Sequence, residues 1–216
     1  MSSKIRVLVV LRKSAEYTVE RAVKVLRMFQ QNITEYDVEL TCLTDAHSSE
    51  LPEDITVIPL KHSWSGWYAK MEMFRADVSG IIPTLYADID TSVVGNIDSL
   101  IKAVERVRFA ILRDVYRGVK NPQAMQSSLM WINHDMSMLY DKYCATPIIL
   151  DGGDQIVLEH YFASIRELPV FWQDITNCVV SFKVHVMPNQ SLEDHQKVII
   201  FHGKPRPWHQ KIVPYK

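Results

Sequence analysis

The chain has 216 residues, of which 47% are hydrophobic, so it can bury a substantial core and reads as a single domain over 1–216. Its 24 lysines and arginines nearly cancel 25 aspartates and glutamates, which removes any overall field drawing nucleic acid or an anionic membrane. Cys42, Cys144 and Cys178 are far apart and odd in number, which argues against a disulfide framework or a cysteine zinc site and suits a reducing, cytoplasmic setting.

The first predicted element is KIRVLVVLRK, a buried strand; its apolar run carries Arg6 and is too short for a signal segment or a membrane span. A helix should start after Thr18 as N-cap and present Val19, Ala22, Val23, Leu26 and Phe29 on one face. DVELTCL gives a second strand that stops at Thr44 and Asp45, and ITVIPL a third. WYAKMEMFRADVSG reads as a helix terminated by Gly80. IIPTLYADID, RFAILRD and SSLMWIN come next as strands, then helices over roughly 134–146 and 152–165, then VVSFKVHVM and KVIIFHG as late strands before a proline-rich tail. This order predicts an α/β fold with a mostly parallel central sheet flanked by helices. With 7 glycines and no GxGxxG or GxxxxGK loop, any bound phosphate must be held by a cation or by basic side chains.

Asp88 and Asp90, flanking Ile89, end the apolar run TLYADID. If the strand persists they share a face, and two carboxylates at the carboxyl end of a strand suit a magnesium or manganese ion. The alternative is a strand-end turn in which Asp90 caps the next segment. Near the C-terminus, KVIIFHGKPRPWH delivers His202 and Gly203 to a loop where Lys204 and Arg206 flank Pro205, a candidate anion site stiffened by proline. His202 is either an imidazole ligand to the same ion or a packed strand-end residue. In the loop LRKSAEYT, Arg12 and Tyr17 are candidates for a phosphate and a base, and Asp45 for a base, a ribose or a turn cap. Lys70, Asp154 and Gln155 are the remaining polar candidates, with Trp64, Trp67 and Trp208 as possible stacking faces.

As an ordered set, these stretches resemble the glycosyltransferases of the GT-A fold, glycogenin-like and bacterial galactosyltransferase-like, which have a Rossmann-like mixed sheet in one domain. Those enzymes carry a D-x-D at the end of a central strand and a late H-x-x-G-x-x-K-P-W segment. Here Gly203, Arg206, Pro207 and Trp208 keep that spacing with arginine for lysine, while Ile200 stands at the histidine position and the imidazole is at 202. SWSGWYAKMEMFR matches their segment with a donor-facing lysine at Lys70. QSSLMWIN matches an N-[SA]-G-x-[ML] strand with Gln126 and Ser128 substituted, and DGGDQIVLEHYF carries the D-Q pair as Asp154 and Gln155.

The resemblance implies transfer of a sugar from a nucleotide-diphosphate donor, a UDP-sugar, to a glycan, protein or lipid acceptor hydroxyl, with retention. It places Mn2+ or Mg2+ on Asp88, Asp90 and His202, and Lys204 and Arg206 on the diphosphate. Asp154, Gln155 and Lys70 fall on the sugar side. Two further readings stand beside it. Asp88 and Asp90 also resemble the nucleophile and acid of haloacid-dehalogenase-like phosphohydrolases, and the substitutions at 126, 128 and 200 allow a sugar-nucleotide-binding module without turnover.

Overall fold

The computed structural model describes residues 3–147 and 149–215. In chain order the first half contains β1 (Lys4–Leu11), α1 (Val19–Asn32), β2 (Asp37–Thr44) and β3 (Ile55–Pro59). A 3-10 helix (Gly66–Phe74) then precedes β4 (Thr84–Ala87), β5 (Thr91–Val93) and α2 (Asp98–Val104). The second half has β6 (Phe109–Arg113), β7 (Met125–Ile132), α3 (Ser137–Ala145) and α4 (Asp154–Ile165). It closes with β8 (Val170–Phe171), α5 (Trp172–Ile175), β9 (Val179–Ser181) and β10 (Val198–Ile200).

Seven strands form the main sheet in the order β3-β2-β1-β4-β7-β6-β8, with β7 antiparallel to both of its neighbours and the other pairings parallel. The mostly parallel mixed sheet agrees with the expectation from sequence. Alternation along β1 splits the core: Ile5, Val7, Val9 and Leu11 meet α1 and α2, whereas Leu8 packs with Met71, Phe74 and α3 and α4 residues such as Leu139 and Leu158. Both faces are therefore covered, which is why the strand reads as one apolar run. A small second sheet, β5-β10-β9, carries its own apolar cluster around Phe182 and Phe201, whose rings stack at 4.4 Å.

Thr18 is the N-cap of α1, its hydroxyl accepting from the Arg21 amide, and of the expected face Ala22, Leu26 and Phe29 are buried while Val19 and Val23 are partly so. Three other expectations change. The segment after Ser65 is 3-10 rather than α-helical and ends at Phe74, before Gly80. Buried Glu72 holds it by accepting from the Lys61 and His62 amides at 2.6 and 2.8 Å, and Arg75 leaves the helix to reach Pro59 O at 2.8 Å. VVSFKVHVM stays a strand only to Ser181; a π-helical turn (Phe182–Val186) comes after it, capped by the Ser181 hydroxyl on the Val184 amide. β4 stops at Ala87, so Asp88 to Thr91 is a turn closed by Thr91 N donating to Asp88 O at 3.1 Å.

Candidate active-site cavity

The parallel strands β1, β2 and β4 end at the same edge of the sheet, and a cavity of about 730 Å³ opens there. Its floor is built by β4 and the 3-10 helix. Asp88 keeps the strand's hydrogen bonding through its amide, which donates to Ser128 O at 2.9 Å. Two residues earlier on the same side, the Tyr86 hydroxyl donates to Asp88 Oδ1 at 2.5 Å. Lys70 Nζ lies 2.9 Å from that oxygen, 3.5 Å from Asp154 Oδ2, and donates to Ser127 Oγ at 3.1 Å. The β6–β7 register breaks between Ile111 and Leu112, whose partners are Met130 and Gln126, and the intervening β7 residues bulge toward the cavity.

Burial alone would lower the Lys70 ammonium pKa, but Asp154 and Asp88 outweigh it and raise the pKa above the ordinary lysine value. Asp154 opens α4 behind Gly152 and Gly153, both at positive φ, and is only 3% exposed. Its burial pushes the carboxyl pKa up against the pull of Lys70, and its Oδ2 has no hydrogen-bond partner.

At the other end of the cavity Asp90 is ion-paired with Arg206, and Arg206 also reaches Glu16, Nε to Oε1 at 3.1 Å. The guanidinium sits 5.3 Å over the Tyr17 ring, and Trp208 beside it is covered by Arg21 at 4.0 Å. The C-terminal tail is thereby docked on the loop between β1 and α1. Burial first, and the charge of Asp88 second, push the Asp90 carboxyl up to about 7, with Arg206 and Lys70 opposing.

No family model and no curated protein matches the chain. Solved structures do. The glycosyltransferase GlyE of Streptococcus pneumoniae TIGR4 superposes with a TM-score of 0.66 at 16% identity, over 98% of this chain. An active-site mutant of LgtC gives 0.66 at 12% identity over 97% of this chain and 91% of its own. The galactosyltransferase LgtC in complex with donor and acceptor sugar analogues gives 0.62 at 11% identity, over 96% of this chain and 90% of its own. The fold is that of the GT-A glycosyltransferases. This chain spans 57% of GlyE.

Within this GT-A fold, Arg12, Tyr17, Lys70, Asp88, Ile89, Asp90, Asp154, Gln155, His202, Gly203 and Arg206 all line the one cavity. Asp45 and Lys204 do not line it. Asp45 lies behind the loop, its Oδ1 accepting from the Lys13 amide at 2.9 Å, and so positions the stretch that carries Arg12. His202 lies beyond the end of β10, so strand alternation does not place it where residue 200 points; Ile200 itself is buried. The His202 Nε2 meets Ser181 Oγ at 2.5 Å and its ring stands edge-on to Tyr116 at 5.4 Å. Burial, then Lys183, lowers the ring's pKa.

Three contributors escaped the sequence. Tyr86 was accessible through the two-residue strand period before Asp88, but Glu16 and Ser127 carry no signal that marks them out from any loop acid or strand serine.

The donor set fits a divalent cation by its charge. Asp88 and Asp154 pair with Lys70, Asp90 and Glu16 share Arg206 with Lys204 near Glu16, and Arg12 and Lys13 are matched by Asp45 and Glu50. Three carboxylates line the cavity, Asp88, Asp90 and Asp154, against Lys70 and an Arg206 that is shared with Glu16, and this crowding with burial lifts the Asp90 pKa to about 7. Asp88 and Asp90 both line the cavity and the charge of Asp88 raises the Asp90 pKa, so the two are the carboxylates that a cation could relieve. Among the described residues, however, no three His, Cys, Asp or Glu side chains are gathered to hold one, so His202 does not complete the set in this conformation. Among the same residues, no helix is long and apolar enough to cross a membrane.

Proposed function

We propose that this protein transfers a sugar from a nucleotide-diphosphate donor, a UDP-sugar, to a hydroxyl of a glycan acceptor, with retention of the anomeric configuration. The observation that carries the reading is the convergence of Asp88, Asp90, Lys70, Asp154 and Arg206, drawn from four separate stretches of chain, on one cavity at the carboxyl ends of the strands. The likeness to GlyE and LgtC supports the same class.

Tyr17 and Arg12 sit at the end of the cavity that suits the base and ribose. Arg206, drawn off Asp90 and Glu16, supplies charge-assisted hydrogen bonds to the diphosphate. A divalent cation, Mn2+ or Mg2+, on Asp88 and Asp90 would supply the charge that stabilises the departing diphosphate. Lys70 and Asp154 face the sugar: the Oδ2 of Asp154, which accepts no hydrogen bond, can accept from a sugar hydroxyl, and Gln155 lines the same cavity. Docked Gly203 to Trp208 shields the reacting bond from water.

The phosphohydrolase reading is not favoured. Asp88 is clamped by Lys70 and Tyr86 rather than free as a nucleophile, and three parallel strands precede it.

The test is a screen of UDP-sugars with and without Mn2+ by thermal shift, then nuclear magnetic resonance of the sugar released or transferred. A metal-dependent rise in midpoint with a UDP-sugar and a product of retained configuration are expected. No shift with any nucleotide sugar would remove the reading; binding without release under varied acceptors would reduce it to a binding module. A narrower check concerns Arg206→Ala, which should weaken UDP about tenfold and uridine less than twofold by calorimetry, as loss of a charge-assisted contact requires. Equal losses on the two would place Arg206 away from the phosphates.

A further inference from the structure

Of the five tryptophans, four have their rings occupied. Trp131 and Trp172 are fully buried, Trp64 stacks on His62 at 4.0 Å and meets Tyr143 edge-on, and Trp208 lies under Arg21. Trp67 is 64% exposed and lines the cavity. Two features show that its position is built rather than incidental. In a 3-10 helix, residues three apart fall on the same side, so Trp67 shares a side with Lys70, whose ammonium pairs with Asp88 and Asp154, and both line the cavity. The ring also rests on Gly153: a Cβ there would lie 2.9 Å from Trp67 Cε3, and the φ of 76° at Gly153 is itself one that side-chain-bearing residues rarely adopt. The residue after that glycine is Asp154, buried, its Oδ2 accepting no hydrogen bond and facing Lys70 Nζ at 3.5 Å.

A flat exposed ring beside a carboxylate oxygen that accepts no hydrogen bond has the chemistry to meet both the face and the edge of a saccharide. A pyranose has a C–H-rich face that stacks on an aromatic ring and hydroxyls at its edge that donate to carboxylates. Tyr17 and Arg206 lie together at the other end of the cavity, beyond Asp88, so the Trp67 end is left for the sugar rather than the nucleotide. We propose that Trp67 is the platform on which the pyranose ring of the transferred sugar stacks, held in place by Gly153 and aligned with Lys70. This rests on the nucleotide-sugar reading above and adds to it the residue that selects a sugar over a bare nucleotide.

The test compares calorimetric dissociation constants of UDP, UDP-glucose and UDP-galactose, with Mn2+, for the wild type, Trp67→Ala and Trp67→Phe. Trp67→Ala should weaken the better-binding UDP-sugar about tenfold, worth ~1.4 kcal/mol, and UDP less than twofold. Trp67→Phe, which keeps a ring, should stay within threefold of wild type for both. Because the side chain is exposed, the thermal midpoint of the donor-free variants should not move. Equal weakening of UDP and UDP-sugar, or an unchanged UDP-sugar constant, overturns the platform while wild-type UDP binding keeps the donor reading intact. A wild type that binds none of the three overturns both.

Discussion

Lys70→Met is expected to destabilise the protein by about 3–5 kcal/mol at neutral pH, the usual range for removing one partner of a buried ion pair. Methionine fills the volume but leaves Asp88 and the 3% exposed Asp154 facing each other without a cation, and Ser127 without its donor. Urea denaturation at pH 7 measures the loss. Asp154→Asn should cost less, because Lys70 then keeps one matched partner in Asp88. The deficit of Lys70→Met should shrink toward pH 4, where the stranded carboxylates take up protons and no longer need neutralising. A variant within about 0.5 kcal/mol of wild type at pH 7 would show that the ammonium does not hold this cluster together.

Asp90→Asn is expected to act in opposite directions with and without donor. In the chelator-treated, donor-free protein it should stabilise by about 2 kcal/mol near pH 7. The sign comes from the direction of the shift. A carboxyl lifted from an unfolded value near ~4 to about 7 contributes stability that is complete below the unfolded value and is lost as pH rises through the folded one. Asparagine removes that loss, and Arg206 retains Glu16, so no guanidinium is stranded. Below about pH 4 the variant and wild type should converge. With Mn2+ and UDP the order should reverse: the wild type gains midpoint and Asp90→Asn gains almost none. The charge that destabilises the donor-free protein is the charge proposed to bind the ion, a trade of stability for activity seen widely at such sites. A donor-free Asp90→Asn less stable than wild type at pH 7 would show that the Arg206 pair, not the crowding with Asp88, dominates there.

The α/β architecture was legible because β1, β2 and β3 are short apolar runs separated by capped or polar segments, and local signals of that kind survive folding unchanged. The cavity was legible in its strand ends, Asp88 and Asp90 after β4 and Asp154 at the start of α4. What failed were places where side chains override periodicity. Glu72 turns a helical pattern into a 3-10 helix by collecting the amides of the preceding loop, and Ser181 diverts a strand-like run into a π-helical turn. Trp64 and Trp67 looked equivalent in the sequence. Three residues apart, one stacks into a partly buried aromatic cluster and the other stands open over the cavity, a difference set by contacts with His62 and Gly153 that no spacing reveals. His202 moved for a related reason: the strand that would have carried it stops two residues short.

Arg206 and Glu16 are 190 positions apart in the chain. A ribosome therefore releases the β1–α1 loop long before the residue that closes over it. Domains generally begin to fold from the end made first, yet here the wall nearest Tyr17 stays missing until Arg206 has been translated and has cleared the exit tunnel. A nascent polypeptide arrested upstream of that point lacks the pairs of Arg206 with Asp90 and Glu16, which separates the closing of this wall from the formation of the sheet.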